Sequence, residues 1–238
     1  QSQDFKIDQP FYEMFEFNGD YDGDGHKITQ DNRDIGFISY LRSKDKASFT
    51  ASVHNLQMQV KATDTSGKKL KNLGKYQEAS NYTANLGLIA DYADDACLDK
   101  ITVSGEVRAQ GFHNLSNVKR YLNNSHTLGG VAGFIRDSEV TDTRNNATLG
   151  VNLSRPEADV PLGNGDTLKV KYDLPAALSI ETAGIAAYAK DTKFVKVSNN
   201  GEIIASHGNH HAAGLVHTME GSKSQISQSM NGGYIRAH

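Results

Sequence analysis

Apolar residues along this chain come in short alternations. Ile35-Gly-Phe-Ile-Ser-Tyr-Leu41, Asn55-Leu-Gln-Met-Gln-Val60, Ile101-Thr-Val103, Asp166-Thr-Leu-Lys-Val-Lys-Tyr172, Phe194-Val-Lys-Val197 and Gly201-Glu-Ile-Ile204 all read this way. A period of two predicts strands with one buried face. Helical spacing is confined to two windows, Gly74 to Ser80 and Leu115 to Asn123, the latter with an Asn suited to capping. These would be decorations on a β scaffold.

The alternations belong to a repeat. Small-Gly-apolar-apolar-small, a polar turn and an alternating strand recur from residues 35, 86, 129, 183 and 213, with register glycines Gly36, Gly87, Gly130, Gly184 and Gly214. Gly105, Asn146, Gly201 and Gly232 close four of the units, 16 to 18 residues further on. A unit of three short strands cannot bury its inner face alone, whereas stacked units bury a continuous column and pair each strand with its equivalents above and below. The expectation is one all-β domain over residues 1–238: a right-handed parallel β-helix with an opening coil at 1–34 and repeats from about 35 to 238. A β-sandwich, whose turns also recur at short intervals, is the alternative. Gly184 and Gly214 stand 30 residues apart but the earlier copies 43 to 54, so Thr63 to Thr83, Gln110 to Thr127 and Asn152 to Ser179 are expected to loop out.

Composition narrows the class of function. The chain has 238 residues, a formal net charge of −3, 22 glycines and no tryptophan. That charge offers no global field for nucleic acid or an anionic membrane. No run of about 18 apolar residues exists to insert into a bilayer. The single cysteine, Cys97, rules out an internal disulfide framework and a multi-cysteine zinc site. Its acidic neighbours would raise its pKa, and it is expected to fill a gap inside the coil. A chain that begins at Gln1 reads as a mature product or a fragment of a larger protein.

The units LGGVAGFIRDSEV, AGIAAYAKDTKF and AAGLVHTMEGSKSQI resemble the GLUG repeat, a Gly-rich motif of large bacterial surface and secreted proteins. Phe17-Asn-Gly-Asp-Tyr-Asp-Gly-Asp-Gly-His-Lys-Ile28 is similar to the segment that opens such arrays, and Asn55-Leu56 to their Asn-Leu step; the resemblance runs from Phe17 to about Ile235. Long insertions, and Ala or Ser in place of a second Gly, depart from the pattern. The resemblance implies secretion or display on the bacterial surface. It implies a non-catalytic adhesin or passenger segment that binds a host or cell-surface protein or glycan, or serves as a rigid spacer. The alternatives are a β-helical polysaccharide-degrading enzyme and an accessory domain of a secreted protease.

Candidate sites are few. Asp20, Asp22, Asp24, Gly25 and Asp31 occupy the oxygen and glycine positions of a calcium loop of the D-x-[DN]-x-[DN]-G type. Lys27 stands where that loop needs an apolar residue, and no amphipathic helix flanks it. A tight turn whose glycines supply positive φ, with Ile28 entering the core, is the competing reading. His207, His210, His211 and His217 cluster in sequence, but adjacent residues of an extended chain point to opposite faces, so they read as surface histidines. His113 and His126 have no evident partner. Lys68, Lys69, Lys71 and Lys75 fall in the first insertion and are natural contacts for a binding partner. Asp91, Asp94, Asp95 and Asp99 could face Arg136, Asp137 and Glu139 of the next coil in a paired acid–base site, as opposed to a solvated turn of mixed charge. Tyr92 and Tyr188 occupy repeat positions suited to packing. None of the common hydrolase, zinc-protease, phosphate-loop or dinucleotide signatures is present.

Overall fold

The computed structural model describes residues 3–7, 16–31, 36–46, 48–63, 84–110, 125–152, 157–161, 165, 167–171, 179–206 and 209–237. Both windows of helical spacing lie outside these residues, and the described residues hold strands and turns without a helix. Among the described residues three sheets of parallel strands and one two-stranded hairpin are formed. The longest runs in the order Phe5–Ile7, Lys27–Asp31, Ala51–Thr63, Ala96–Gln110, Glu139–Thr141, Lys193–Val195 and Gln225–Ser227. The second runs Glu16–Phe17, Ile38–Arg42, Ala90–Asp94, Ala132–Arg136, Ala186–Lys190 and Val216–Glu220. The third runs Ala84–Gly87, Ser125–Gly129, Ser179–Ala183 and Asn209–Ala213. Among the described residues antiparallel pairing, which a sandwich requires throughout, occurs only in the hairpin Glu157–Pro161 with Thr167–Lys171.

The chain passes through the sheets in a fixed order, third to second to long, and each round pairs with the next. Ile38, Ala90, Ala132, Ala186 and Val216 stand in one register column, and Val53, Leu98, Val140, Phe194 and Ile226 in another. Inward residues of the three sheets share one hydrophobic cluster, with Ile28, Leu41, Leu98, Ile135, Leu149, Ile185 and Phe194 fully buried. Alternation identified strands of the three parallel sheets because their inward faces meet in that cluster, whereas the alternation from Asp166 to Tyr172 falls on the hairpin strand Thr167–Lys171, whose Leu168 is 52% exposed and outside the cluster.

The register glycines need one correction. Gly36, Gly130, Gly184 and Gly214 do stand in column, but their equivalent in the second round is Leu88, and Gly87 pairs with Gly129 instead. A Cβ on Gly130 or Gly184 would lie 2.1 or 2.2 Å from the carbonyl oxygen of the next glycine in the column, which explains why no side chain is tolerated there. The closing column is likewise Gly105, Ala147, Gly201 and Gly233, one residue beyond the positions expected from Asn146 and Gly232. Cys97 also differs from expectation. Its neighbours Ala96 and Leu98 are buried, so strand alternation turns Cys97 outward, half-buried on the outer face of the long sheet.

The expected insertions leave from one place. Long-sheet strands end at Thr63, Gln110 and Asn152, and third-sheet strands resume at Ala84, Ser125 and Ser179. Between Ser206 and Asn209, by contrast, only two residues make the same connection.

Candidate functional site

A second corner, between the second sheet and the long sheet, carries the most pronounced concentration of chemistry. Here the chain turns through a left-handed residue in every round from that of Leu88 on: Asp95 (φ 51°), Asp137 (φ 46°), Asp191 (φ 47°) and Gly221 (φ 89°). Asp and Gly tolerate this conformation better than most residues, so the bend selects aspartate and stacks carboxylates on successive rounds. The stacking is enforced by backbone bonds from Asp95 N to Arg136 O, Asp137 N to Lys190 O and Asp191 N to Glu220 O, of 2.9 to 3.1 Å.

Asp95, Asp137 and Asp191 line a groove of about 440 Å³ together with Asp94, Ser138, Glu139, Lys193, Lys223, Lys46 and the exposed ring of Phe49. The groove thus unites Asp94, Asp95, Asp137 and Glu139, four of the residues the repeat alignment placed on neighbouring coils. Asp91 and Asp99 are elsewhere: Asp91 is buried and accepts the backbone N–H groups of Gly36 and Gly87, and Asp99 accepts the Thr141 hydroxyl on the outer face of the long sheet. Asp191 and Lys193 were not singled out from the sequence, although they hold the columns of Asp137 and Glu139 and the repeat pointed to them. Lys46 and Phe49 come from an unrepeated segment that no periodicity marks.

Within the groove the carboxylates differ in use. Asp94 is nearly buried and pairs with the Arg136 guanidinium at 2.6 Å, which holds the Arg136 proton more tightly than usual. Asp95 accepts the Ser48 N–H at 3.2 Å and Asp191 the Lys223 N–H at 3.2 Å, so both help shape the groove walls. Asp137 and Glu139 make no side-chain hydrogen bond or ion pair among the described residues, and neither do the ammonium groups of Lys46, Lys193 and Lys223. Free carboxylates, free ammonium groups and an exposed ring in one concave surface suit a polar ligand with hydroxyl groups and an apolar face.

The aspartate loop forms the strand Asp20–Asp22, a turn at Asp24 (φ 49°) and Gly25 (φ 75°), and the strand Lys27–Asp31, with Ile28 fully buried. Its carboxylates turn toward the next round. Asp20 accepts the Ser52 hydroxyl and meets His54 Nε2 at 3.0 Å; Asp22 accepts the Asp24 N–H at 2.8 Å and the Asn55 amide at 3.1 Å and lies 3.5 Å from His54 Nδ1. The Ser52 hydrogen bond chiefly lowers the pKa of Asp20, and the Asp24 backbone N–H that of Asp22. Asp31 ends its strand with its side chain outside the described residues. Among the described residues no group of three or more His, Cys, Asp or Glu side chains is arranged to hold a metal ion.

The histidines separate. His210 meets the Thr182 hydroxyl at 2.9 Å, while His211 is exposed and packs edge-on against His217, which lies 3.5 Å from Glu181. His207, His113 and the four lysines Lys68, Lys69, Lys71 and Lys75 lie outside the described residues, as does the side chain of His126.

On the outer face of the second sheet Tyr40, Tyr92, Phe134 and Tyr188 form one stack, with centroids 4.6 to 4.7 Å apart and planes within 9°. Each inner ring has both faces covered by neighbours, so the stack offers ring edges and is a packing device, as the repeat positions of Tyr92 and Tyr188 implied. Burial raises the Tyr92 hydroxyl to about 12, and the hydrogen bond to Glu220 raises Tyr188 to about 12. Burial, then the charges of Asp99, Glu139 and Asp20, raises the Cys97 thiol, which disfavours a nucleophilic thiolate. Comparison with known proteins finds no family model, no characterised protein and no solved structure that matches the chain.

Proposed function

We propose that the three sheets wind as a right-handed parallel β-helix of the GLUG-repeat kind, and that the chain is a non-catalytic binding segment of a protein secreted by or displayed on a bacterium. Its ligand is a cell-surface or host glycan held in the groove between the second and long sheets. The observation that carries this reading is the groove itself: successive rounds bring unpaired Asp137 and Glu139, unpaired Lys46, Lys193 and Lys223, and the exposed Phe49 ring to one concave surface. Carboxylates and ammonium groups provide hydrogen bonds to sugar hydroxyls, and the ring provides a stacking face. The lysines of the first insertion remain a second proposed contact surface, and calcium at the aspartate turn a proposed ligand.

A glycan-cleaving enzyme is the second reading, because Asp137 and Glu139 are the two groove carboxylates left free for proton transfer. Binding is preferred because Asp94, Asp95 and Asp191 are engaged in the wall. The test is a panel of neutral, anionic and amino glycans presented to the purified chain, with binding and product release followed together. Binding without cleavage, weakened about tenfold or more by Asp137→Asn or Lys193→Ala at unchanged melting temperature, supports the proposal. Cleavage abolished by Glu139→Gln replaces it with the enzyme, and binding indifferent to every groove substitution removes the groove from either reading.

A further inference from the structure

The charges of the corner groove are ordered along the stack. Lys46 and Phe49 precede the strand Ala51–Thr63, Asp95 precedes Ala96–Gln110, Asp137 precedes Glu139–Thr141, Asp191 precedes Lys193–Val195, and Lys223 precedes Gln225–Ser227. These are five consecutive rounds. Neighbouring strands of a sheet stand about 4.8 Å apart, so the groove runs roughly 19 Å along the stack. With a volume of about 440 Å³ it is long and shallow, a shape for several linked sugar units rather than one.

Along that length the free charges change sign. Asp95, Asp137 and Asp191 stack one round apart at the same left-handed bend. The outer two have donors of their own, since Asp95 accepts the Ser48 N–H and Asp191 the Lys223 N–H, each at 3.2 Å. Asp137 between them accepts no side-chain hydrogen bond among the described residues, and Glu139 on the same round is free as well. The middle of the groove thus gathers like charges whose repulsion an added cation relieves. Lys193 and Lys223, on the next two rounds, are free cations, and Lys193 is the register neighbour of Glu139. One round therefore separates an anionic place from a cationic one, and that step is close to the length of one sugar unit in an extended glycan. A purely acidic glycan meets Asp137 and Glu139 with like charge, and a purely basic one meets Lys193 and Lys223 so. A neutral glycan makes only hydroxyl hydrogen bonds, which lack the strengthening that comes when both partners are charged.

Given the reading of the groove as a glycan site, on which this step rests, we propose that its ligand is an amphoteric glycan with a free amino group on one sugar unit and a carboxylate on the next. The amine sits between Asp137 and Glu139, the carboxylate meets the Lys193 and Lys223 ammonium groups, and a further sugar stacks on Phe49. An alternating glucuronate–glucosamine hexasaccharide tests this in four forms: with both charges, N-acetylated so that only the acids remain, carboxyl-reduced so that only the amines remain, and with both changes. Titration calorimetry of the 238-residue chain is expected to show the doubly charged form bound about tenfold or more tighter than each of the other three. Asp137→Asn, which keeps a residue tolerant of the left-handed bend, should erase the gain due to the amine, and Lys193→Gln the gain due to the acid, with the melting temperature held. A doubly charged form bound no tighter than one of the others overturns the proposal, and binding of the uncharged form then still leaves the groove a glycan site. Gains that survive both substitutions overturn it as well, because the charges are then read elsewhere. Binding by no form also overturns it, and the panel of neutral, anionic and amino glycans then decides separately whether the groove takes a glycan at all.

Discussion

Gly184 shows how a single residue type is dictated by its surroundings. An added Cβ would meet the Gly214 carbonyl oxygen at 2.2 Å and Asn199 side-chain atoms at 2.5 to 2.6 Å, so the next round would have to move away. Gly184→Ala is therefore expected to lower stability by about 2 to 4 kcal/mol in urea unfolding. Gly25 is the control: its φ is 75° but nothing lies within 4 Å of an added Cβ, so Gly25→Ala should cost only the backbone strain, about 1 kcal/mol. Equal effects at the two positions would refute the packing explanation. Close contacts likewise explain why the other register glycines were legible in the sequence: an added Cβ would meet a carbonyl oxygen of the next round at 2.2 Å at Gly36 and 2.1 Å at Gly130, and Asn231 side-chain atoms at 2.4 to 2.8 Å at Gly214. Gly87 misled because Gly87 and Gly129 have a close contact of their own, with the carbonyl oxygens of Ala90 and Ala132, and stand one residue away from the register column. The groove was half legible for a related reason: Asp94, Asp95, Asp137 and Glu139 sit on repeated turns, while Lys46 and Phe49 belong to a segment with no second copy to compare.

Among the elements, the outer face of the second sheet depends on its ring stack. Phe134 already occupies the column without a hydroxyl, so Tyr92→Phe should change stability by less than about 0.5 kcal/mol, whereas Tyr92→Ala removes two stacked contacts and should cost about 2 kcal/mol. Alkaline titration provides an independent check. Tyr92 and Tyr188 keep their protons to about 12 in the folded chain against an ordinary 10.0. The folded state therefore binds protons more tightly, its advantage is complete below pH 10, and that advantage fades as pH rises through 12. Tyrosinate absorbance should show Tyr92 and Tyr188 titrating late, alongside Tyr21, which burial also raises; ordinary titration of every tyrosine would contradict the stack's burial and the Glu220 bond. Strand positions in the three parallel sheets were readable from alternation because their inward faces meet in the core, while the alternation at Thr167–Lys171 marked a strand whose Leu168 is exposed. The parallel partners were readable only through the repeat, since alternation alone fits a sandwich equally well.

In the molecule as a whole, every long insertion leaves from the corner between the long and third sheets, and the groove lies at another. Replacing residues 153–178 by a two-residue link like that between Ser206 and Asn209 should preserve the strand circular dichroism and keep the melting temperature within about 5 °C. Loss of cooperative unfolding would show that the insertion holds the stack together. The unequal insertions also give the chain an order of assembly. Phe194 must find Ile226 across 32 residues and Ile28 must find Met58 across 30, but Val140 and Phe194 are 54 apart. Closing the longer segment costs about 0.5 kcal/mol more in chain entropy, and parallel pairing earns nothing until closure is complete. Folding is thus expected to begin at the two ends of the stack and meet in the middle, with amides of Lys193–Val195 and Lys27–Asp31 gaining hydrogen-exchange protection before those of Glu139–Thr141; protection that arises first in the central strand would reverse that order.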